Sequence, residues 1–200
     1  MKILILDNYD SFTHNLALIV ADLSGTRPDV RRNDTITIEE VAAYDKILLS
    51  PGPGLPAEAG ILCALIERYA PSKSILGICL GHQAIGQVFG ATLQQLDMVY
   101  HGVATRVERL QQDDLFEGLP PQFEAGRYHS WVVAREALPA CLEVLAADAG
   151  GQIMALRHRS YDVKGLQFHP ESIMTPAGRQ LIHNWLQPYA PVTSSSIKNN

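Results

Sequence analysis

Short apolar runs alternate with amphipathic segments along the first half of the chain. The apolar runs, rich in Ile, Leu and Val, lie at residues 2–6, 46–49 and 74–78. Such runs are typical of strands in a buried parallel sheet. Apolar residues recur at helical spacing at residues 11–24, 57–69 and 82–89. The alternation predicts an α/β fold in which helices flank a mostly parallel central sheet.

The pattern changes from about Thr92 onward. β-like runs follow at residues 103–107, 142–145, 153–157 and 165–168. They predict an additional antiparallel portion in the C-terminal half. A last helix is predicted at residues 176–186. We interpret residues 1–190 as one domain and the polar residues 191–200 as a disordered tail.

Composition and charge exclude several classes of partner. The chain has 200 residues, a formal net charge of -5 and only 16 Lys and Arg, which are scattered, so neither nucleic acid nor an anionic membrane is expected to bind. No apolar run approaches the ~20 residues of a membrane span, and the N-terminus lacks a secretory core. Three widely spaced cysteines, Cys63, Cys79 and Cys141, indicate free thiols and a cytoplasmic protein.

Cys79 lies in the most informative segment, where a buried strand runs directly into a helix. Gly77 and Gly81 frame it, as in a nucleophile elbow, whose strained turn needs small residues two positions on either side of the nucleophile. Activating a thiol near neutral pH takes roughly 2.7 kcal/mol, whereas a helix N-terminus typically supplies about 0.3–1 kcal/mol. The chemistry therefore requires a histidine as well. The alternative is that Cys79 is a small buried hydrophobe, the role we assign to Cys63 and Cys141.

His169 is the best candidate for that histidine, because it follows an apolar strand where α/β folds place catalytic groups. Glu171 lies two residues further on, and in an extended segment the two side chains would share a face. The carboxylate would then hold one ring nitrogen while the other faces the thiol. The alternative is a surface histidine beside an ordinary charge. His101 and His129 could line a cleft, and structural roles are expected for His14, His82, His158 and His183.

Acyl chemistry also needs donors for the developing oxyanion. The Leu80 N–H, beside the nucleophile, is one natural donor. A second could come from a glycine of residues 50–54, Ser-Pro-Gly-Pro-Gly, which follow a predicted strand. The alternative is that this segment is only a sharp turn. It is not a phosphate-binding loop, because the Gly-Lys-Ser/Thr ending is absent.

Three segments together, Pro51–Gly54, Gly77–Gln83 and Phe168–Ser172, resemble the class I, triad-type glutamine amidotransferases. With Asp7–Phe12, Arg32–Asp34 and Arg127–Ser130, the chain is similar to the small subunits (component II) of anthranilate and aminodeoxychorismate synthases, from Met1 to about Trp185. The resemblance implies a flavodoxin-like core and no cofactor or metal.

The resemblance also implies the roles of individual residues. Cys79 would attack the side-chain carboxamide of L-glutamine, His169 would protonate the departing ammonia, and Glu171 would orient His169. Gly52 and Leu80 would serve the oxyanion. The glutamine site would be lined by Gly52, Pro53, Gly54, Gln83, Ser130 and Trp131. Trp131 replaces an expected leucine at a mainly backbone contact, and Val103 stands where the family often has lysine.

The family pairs this small subunit with a chorismate-binding synthase, component I, that receives the ammonia. Residues 157–162 and 138–141 are closer to the aminodeoxychorismate branch, so we expect a para-aminobenzoate or dual-use subunit. Three alternatives remain open. They are another cysteine hydrolase on the same fold, such as a peptidase or γ-glutamyl hydrolase; a zinc site using Cys79 and His82; and a non-catalytic binding subunit.

Overall fold

The computed structural model describes residues 1–136 and 138–188. The predicted tail, residues 191–200, lies outside this part of the chain, and so does the end of the predicted domain at residue 190. Among the described residues, no helix has the length and apolar character needed to cross a membrane.

The described residues form eleven strands and four α-helices. The strands are β1 (Ile3–Asp7), β2 (Asp29–Arg32), β3 (Lys46–Leu49), β4 (Ser74–Ile78), β5 (Leu93–Gln95), β6 (Val103–Arg109), β7 (Gln122–Arg127), β8 (Trp131–Val133), β9 (Leu142–Asp148), β10 (Ile153–His158) and β11 (Val163–Leu166). The helices are α1 (Thr13–Ser24), α2 (Leu62–Tyr69), α3 (Leu80–Val88) and α4 (Gly178–Leu186).

One nine-stranded sheet runs through the molecule in the order β2-β1-β3-β4-β11-β10-β9-β6-β7. From β2 to β11 the neighbouring strands are parallel. From β11 to β7 they are antiparallel. Both the parallel centre and the antiparallel portion of the predicted α/β fold are confirmed. The small second sheet, in which β5 and β8 pair antiparallel, was not predicted.

Side chains that alternate along the strands bury both faces of the parallel centre. Ile3 and Ile5 of β1 pack with Leu16 of α1 and Leu181 of α4. The intervening residues of β1 point to the other face and pack with α2 and α3. A strand whose successive side chains enter two different cores must be apolar throughout, which explains the continuous apolar runs.

Several predicted helix boundaries were wrong. The helix expected from residue 57 begins only at Leu62, because Gly60 adopts a positive φ of 53° and Ile61 donates its N–H to the Asn33 carbonyl. A Cβ on Gly60 would lie 2.4 Å from that same carbonyl oxygen. The helix α3 begins two residues before its predicted start, at Leu80. The helix α1 ends where predicted, at Ser24, and is followed by Gly25 in the left-handed conformation.

The three chemistry-bearing segments follow three adjacent parallel strands. Gly52 comes after β3, Cys79 after β4 and His169 after β11, and these strands are neighbours in the sheet. Because parallel strands present their carboxyl ends at one edge, the segments converge although they are far apart in sequence.

Candidate active site

Cys79 occupies a strained turn between β4 and α3. Its φ of 50° and ψ of -99° lie in a region that a residue with a side chain rarely adopts. The turn is held on both sides, because the Cys79 N–H donates to the Leu166 carbonyl (2.8 Å) and the Cys79 carbonyl accepts from the Gln83 N–H (3.0 Å). The backbone therefore fixes the thiol at the N-terminus of α3.

The two framing glycines are required sterically. A Cβ on Gly77 would lie 2.5 Å from the carbonyl carbon and oxygen of Gly81. A Cβ on Gly81 would lie 2.7 Å from the carbonyl oxygen of Leu49. Cβ atoms essentially never approach other atoms so closely, so a larger residue at either position would force the backbone of the strand-to-helix turn to shift.

His169 and Glu171 form a buried pair in which Nδ1 of the imidazole lies 2.6 Å from Oε1 of the carboxylate. The expected extended segment was wrong. The two residues meet across a tight turn, in which the Ser172 N–H donates to the His169 carbonyl (3.2 Å). Thr175 donates its hydroxyl to that same carbonyl (2.6 Å) and fixes the turn to the end of β7 through the Gly126 N–H.

The electrostatics of this pair favour an imidazolium. Burial lowers the pKa of His169, but hydrogen bonding and charge from Cys79 and Glu171 outweigh it and raise the pKa to about 10. The buried Nε2 makes no hydrogen bond of normal geometry within the described residues. Since Glu171 holds Nδ1, Nε2 is the ring nitrogen left for the Cys79 side chain, which lies close enough to act on the pKa.

The pKa values of three other histidines are shifted in the opposite direction. Burial lowers the pKa of His82 to about 4, and burial together with the Arg127 charge lowers that of His129 to about 3. The pKa of His158 is also lowered by burial. These rings are neutral at neutral pH, so none of them supplies the imidazolium. The zinc hypothesis finds no support either, because no cluster of three or more possible ligands occurs in residues 1–136 and 138–188.

A cleft of about 280 Å³ opens beside the thiol, large enough for a small polar metabolite. Its walls are Gly52, Pro53, Gly54, Leu55, Cys79, Gln83, Tyr128, His129, Ser130 and Trp131. The cleft thus brings together all six residues expected around glutamine. His129 lines it too, as considered from the sequence, whereas His101 packs edge-on against Tyr128.

Gly52 and Leu80, the expected oxyanion donors, lie side by side. A Cβ on Gly52 would lie 2.9 Å from Cδ2 of Leu80 and 2.5 Å from the Asn8 carbonyl oxygen, so only glycine fits. Leu80 opens α3, and its N–H is among those that have no acceptor within the helix. Asn8 holds the glycine loop in place through two hydrogen bonds to Ser50.

Comparison with known proteins identifies the family. The profile of glutamine amidotransferase class-I matches residues 4–188. This chain belongs to that family. It is 46% identical over 187 residues to anthranilate synthase component 2 of Azospirillum brasilense, covering 92% of this chain and 94% of the relative. It is also 46% identical over 186 residues to aminodeoxychorismate synthase component 2 of Klebsiella aerogenes, covering 92% and 98%.

A solved structure shows the same architecture. A Thermoplasma acidophilum protein assigned to GMP synthase superposes with a TM-score of 0.83, at 28% identity, over 92% of each chain. The overall fold of this amidotransferase is therefore shared with that protein.

The far wall of the cleft in this amidotransferase rests on a buried charge network. Arg127 is fully buried. Its guanidinium contacts the Asp148 carboxylate (2.6 Å), the Gln152 side chain, His129 (3.1 Å) and the face of the Tyr100 ring (3.6 Å to the centroid). The network fixes the end of β7, from which residues 128–131 continue into the cleft wall.

Several of the residues that favoured the aminodeoxychorismate branch make contacts with other residues of this amidotransferase, away from the cleft. Arg157 pairs with Asp113 and Glu143, and Arg159 also pairs with Glu143. His158 stacks on Tyr161 at 4.2 Å between ring centroids. None of these residues lines the cleft, so they give the branch assignment no support from the site.

Sequence reasoning missed one polar side chain at the centre of the amidotransferase site. Gln167 is fully buried, and its Nε2 lies 3.7 Å from the sulfur of Cys79. Its Oε1 accepts from Nε2 of Gln83 (3.3 Å). The available signal was a polar residue between the apolar strand β11 and His169, where burial demands a specific partner.

Proposed function

We propose that this chain is the glutaminase component, component 2, of an aminodeoxychorismate or anthranilate synthase. The observation that carries the proposal is the placement of the Cys79 thiol in the wall of a cleft lined by the glycine loop, with the buried His169–Glu171 pair beside that thiol. The family membership supports it, as do the names of the relatives.

The reaction follows from the positions of the groups. The thiolate of Cys79 attacks the carboxamide carbon of glutamine, and the negative oxygen that develops is received by the N–H groups of Gly52 and Leu80. The His169 imidazolium gives its proton to the departing nitrogen, so that ammonia leaves and a glutamyl thioester remains. Neutral His169 then takes a proton from water as the water attacks the thioester, and glutamate and the thiolate are released.

Glu171 acts on His169 and does not contact the substrate. Its carboxylate holds Nδ1 in the protonated form, directs Nε2 towards the sulfur and stabilises the imidazolium. Gln83, Ser130, Trp131 and the backbone of residues 52–54 bind glutamine in this proposal.

We infer that the ammonia passes to a chorismate-binding component 1 in the cytoplasm. The names of the component 2 relatives support such a partner. The pathway branch stays open in the comparisons, because the Azospirillum brasilense and Klebsiella aerogenes relatives are equally similar to this chain. We therefore propose either product, with the para-aminobenzoate branch or dual use as the hypothesis to test.

The substitution Cys79→Ala tests the nucleophile. Glutamine hydrolysis and glutamine-dependent synthesis should both be abolished, while the complex still uses added ammonium, because only the ammonia source is lost. Cys63→Ala is the matched control, since Cys63 is a half-buried cysteine of α2 outside the cleft. Retained glutamine hydrolysis in Cys79→Ala would end the proposal.

Reconstitution tests the partner. The native chain is mixed with an aminodeoxychorismate-forming or an anthranilate-forming component 1, and glutamine-dependent product is measured for each. Product with one partner assigns the branch, and product with both assigns dual use. If neither complex forms product, although each partner works with ammonium, the component 2 assignment is wrong. A γ-glutamyl peptide as substrate tests for the alternative hydrolase.

A further inference from the structure

Three groups beside the nucleophile form a hydrogen-bonded chain whose direction is fixed at one end. The chain begins at the backbone carbonyl of Trp131, which accepts from the side-chain amide of Gln83 at 2.9 Å. A carbonyl oxygen can only accept, so the Gln83 atom that faces it must be the NH₂ group. The orientation of Gln83 is thereby determined by the backbone.

The orientation of Gln83 determines that of Gln167. The second hydrogen on Nε2 of Gln83 points to the side chain of Gln167 at 3.3 Å, so the Gln167 atom at this contact must be its carbonyl oxygen. The NH₂ group of Gln167 then lies at the opposite end of the amide, 3.7 Å from the sulfur of Cys79. The opposite orientation would place two NH₂ groups against each other and an oxygen against the sulfur.

Burial removes the competing partners of this amide. Gln167 is fully buried, so bulk water does not compete for its NH₂ group. Its backbone N–H is also fixed, by a 2.9 Å hydrogen bond to the Met154 carbonyl of β10. Both the side chain of Gln167, through Gln83, and its backbone, through Met154, thus hold the NH₂ group next to the sulfur.

We propose that Gln167 is a built-in N–H donor to the Cys79 thiolate, oriented by Gln83 and the Trp131 carbonyl. The inference rests on the proposed function, since it assumes that Cys79 reacts as a thiolate. A donor favours the anionic sulfur over the neutral thiol, because hydrogen bonds to charged acceptors are the stronger ones. The donor stabilises the thiolate at two points of the cycle: before the sulfur attacks glutamine, and again when hydrolysis of the thioester releases the sulfur.

The test is the pH dependence of Cys79 alkylation by iodoacetamide in the full-length chain without glutamine. Peptide mass spectrometry reports the rate at each cysteine separately. Gln167→Glu is the sharpest variant, because it keeps the shape and the acceptor for Gln83 but loses the donor to sulfur. Gln167→Met removes the donor without adding charge, and it keeps the test valid if a carboxylate at this buried position prevents folding.

In Gln167→Met we expect the pH midpoint of Cys79 alkylation to rise by about one pH unit, with about a tenfold lower rate below the midpoint. In Gln167→Glu the midpoint should rise further, since a negative charge then faces the sulfur. The loss in kcat/KM for glutamine should be larger at low pH than at high pH, where the thiolate forms without help. A purely structural role would not produce this pH dependence.

Two controls separate the possible outcomes. The alkylation rates of Cys63 and Cys141 should not change in either variant. Asn184→Asp replaces another buried amide, which donates to the Leu115 and Glu117 carbonyls, with a carboxylate. This variant should keep the native pH midpoint of Cys79 alkylation. An unchanged midpoint in both Gln167 variants overturns the inference alone. If native Cys79 is no more reactive at neutral pH than Cys63 and Cys141, the proposed function fails and the inference fails with it.

Discussion

The two halves of the nine-stranded sheet contribute to the site in different ways. The parallel half, from β2 to β11, presents the thiol, the glycine loop and the imidazole at one edge of the sheet. The antiparallel half, from β10 to β7, contributes the far wall of the cleft, which is anchored by Arg127 and Asp148. The proposed nucleophile and the glycine loop are held by backbone geometry and the imidazole by one buried carboxylate, whereas the wall is held by a buried arginine–aspartate pair.

This difference predicts two kinds of mutational effect. Changes at the parallel edge should act on turnover, because they displace reacting atoms or alter their charge. Changes in the antiparallel half should act on stability and on glutamine binding, because they loosen the wall. Substitutions in each half test whether this division holds.

The largest effect is expected for Glu171→Gln. It removes the carboxylate charge and offers an amide donor to Nδ1, which favours the wrong tautomer of His169. We expect kcat for glutamine hydrolysis to fall by about 10³–10⁴-fold, with a much smaller change in KM. Glu124→Gln, at an exposed position of β7, is the control. An effect confined to KM would contradict the role of Glu171.

The same variant also changes the pH dependence of stability. The raised pKa of His169, about 10, means that its interactions contribute stability that is complete below about pH 6.5 and is lost as the pH rises through about 10. Glu171→Gln lowers this pKa, so the variant should lose less stability than the native chain between these limits. Thermal unfolding across the pH range measures the difference, and parallel curves would refute it.

Asp148→Ala should have the largest effect in the antiparallel half. It leaves the buried Arg127 guanidinium without its carboxylate, and we expect the free energy of unfolding to fall by about 3 kcal/mol. In the folded fraction, KM for glutamine should rise more than kcat falls. Urea denaturation and steady-state kinetics measure both. The control is Asp22→Ala, which breaks an exposed ion pair with Arg179 and should leave stability almost unchanged.

Gly81→Ala tests the elbow itself. The added Cβ meets the carbonyl oxygen of Leu49 at 2.7 Å, so the backbone must shift and displace the thiol. We expect kcat to fall about 100-fold and stability to fall by about 2 kcal/mol. Gly150→Ala, whose Cβ would lie at an ordinary 3.4 Å from Asp148 Oδ1, should be close to native. Native kinetics in Gly81→Ala would show that the elbow tolerates side chains.

Trp131→Leu should have the smallest effect. Its contact with Gln83 is made by the backbone carbonyl, which the substitution retains. We expect kcat/KM for glutamine to change by no more than about threefold, because no hydrogen bond is removed. A loss of tenfold or more would show that the indole itself contacts the substrate.

Short-range signals made much of the parallel half predictable. The strands β3 and β4 lie where the apolar runs placed them, since a strand buried on both faces must be apolar throughout. Gly77 and Gly81 marked the turn at Cys79, because small residues on both sides of the nucleophile are a recognisable local motif. The clash that Gly77 avoids is with Gly81, four residues away, although Gly81 avoids a clash with Leu49 of β3. Features that depend on the residue types within one short segment can be predicted from that segment alone.

Other features depend on contacts between distant segments, and the sequence did not reveal them. The start of α2 depends on the Asn33 carbonyl, which lies in another part of the chain. The contact of Gln167 with the sulfur depends on the pairing of β11 with β4. Glu171 was matched to His169 on the assumption of extended backbone, although a tight turn brings them together.

The pairing of β11 with β4 also determines whether the proposed active site is complete. The turn at Cys79 is completed by a hydrogen bond from the Cys79 N–H to the carbonyl of Leu166, a residue of β11. A chain in which this strand has not docked has the thiol but neither its backbone anchor nor the neighbouring imidazole. In the proposed mechanism, reactivity therefore depends on the docking of β11, and a partly folded chain in which this strand is free is catalytically silent.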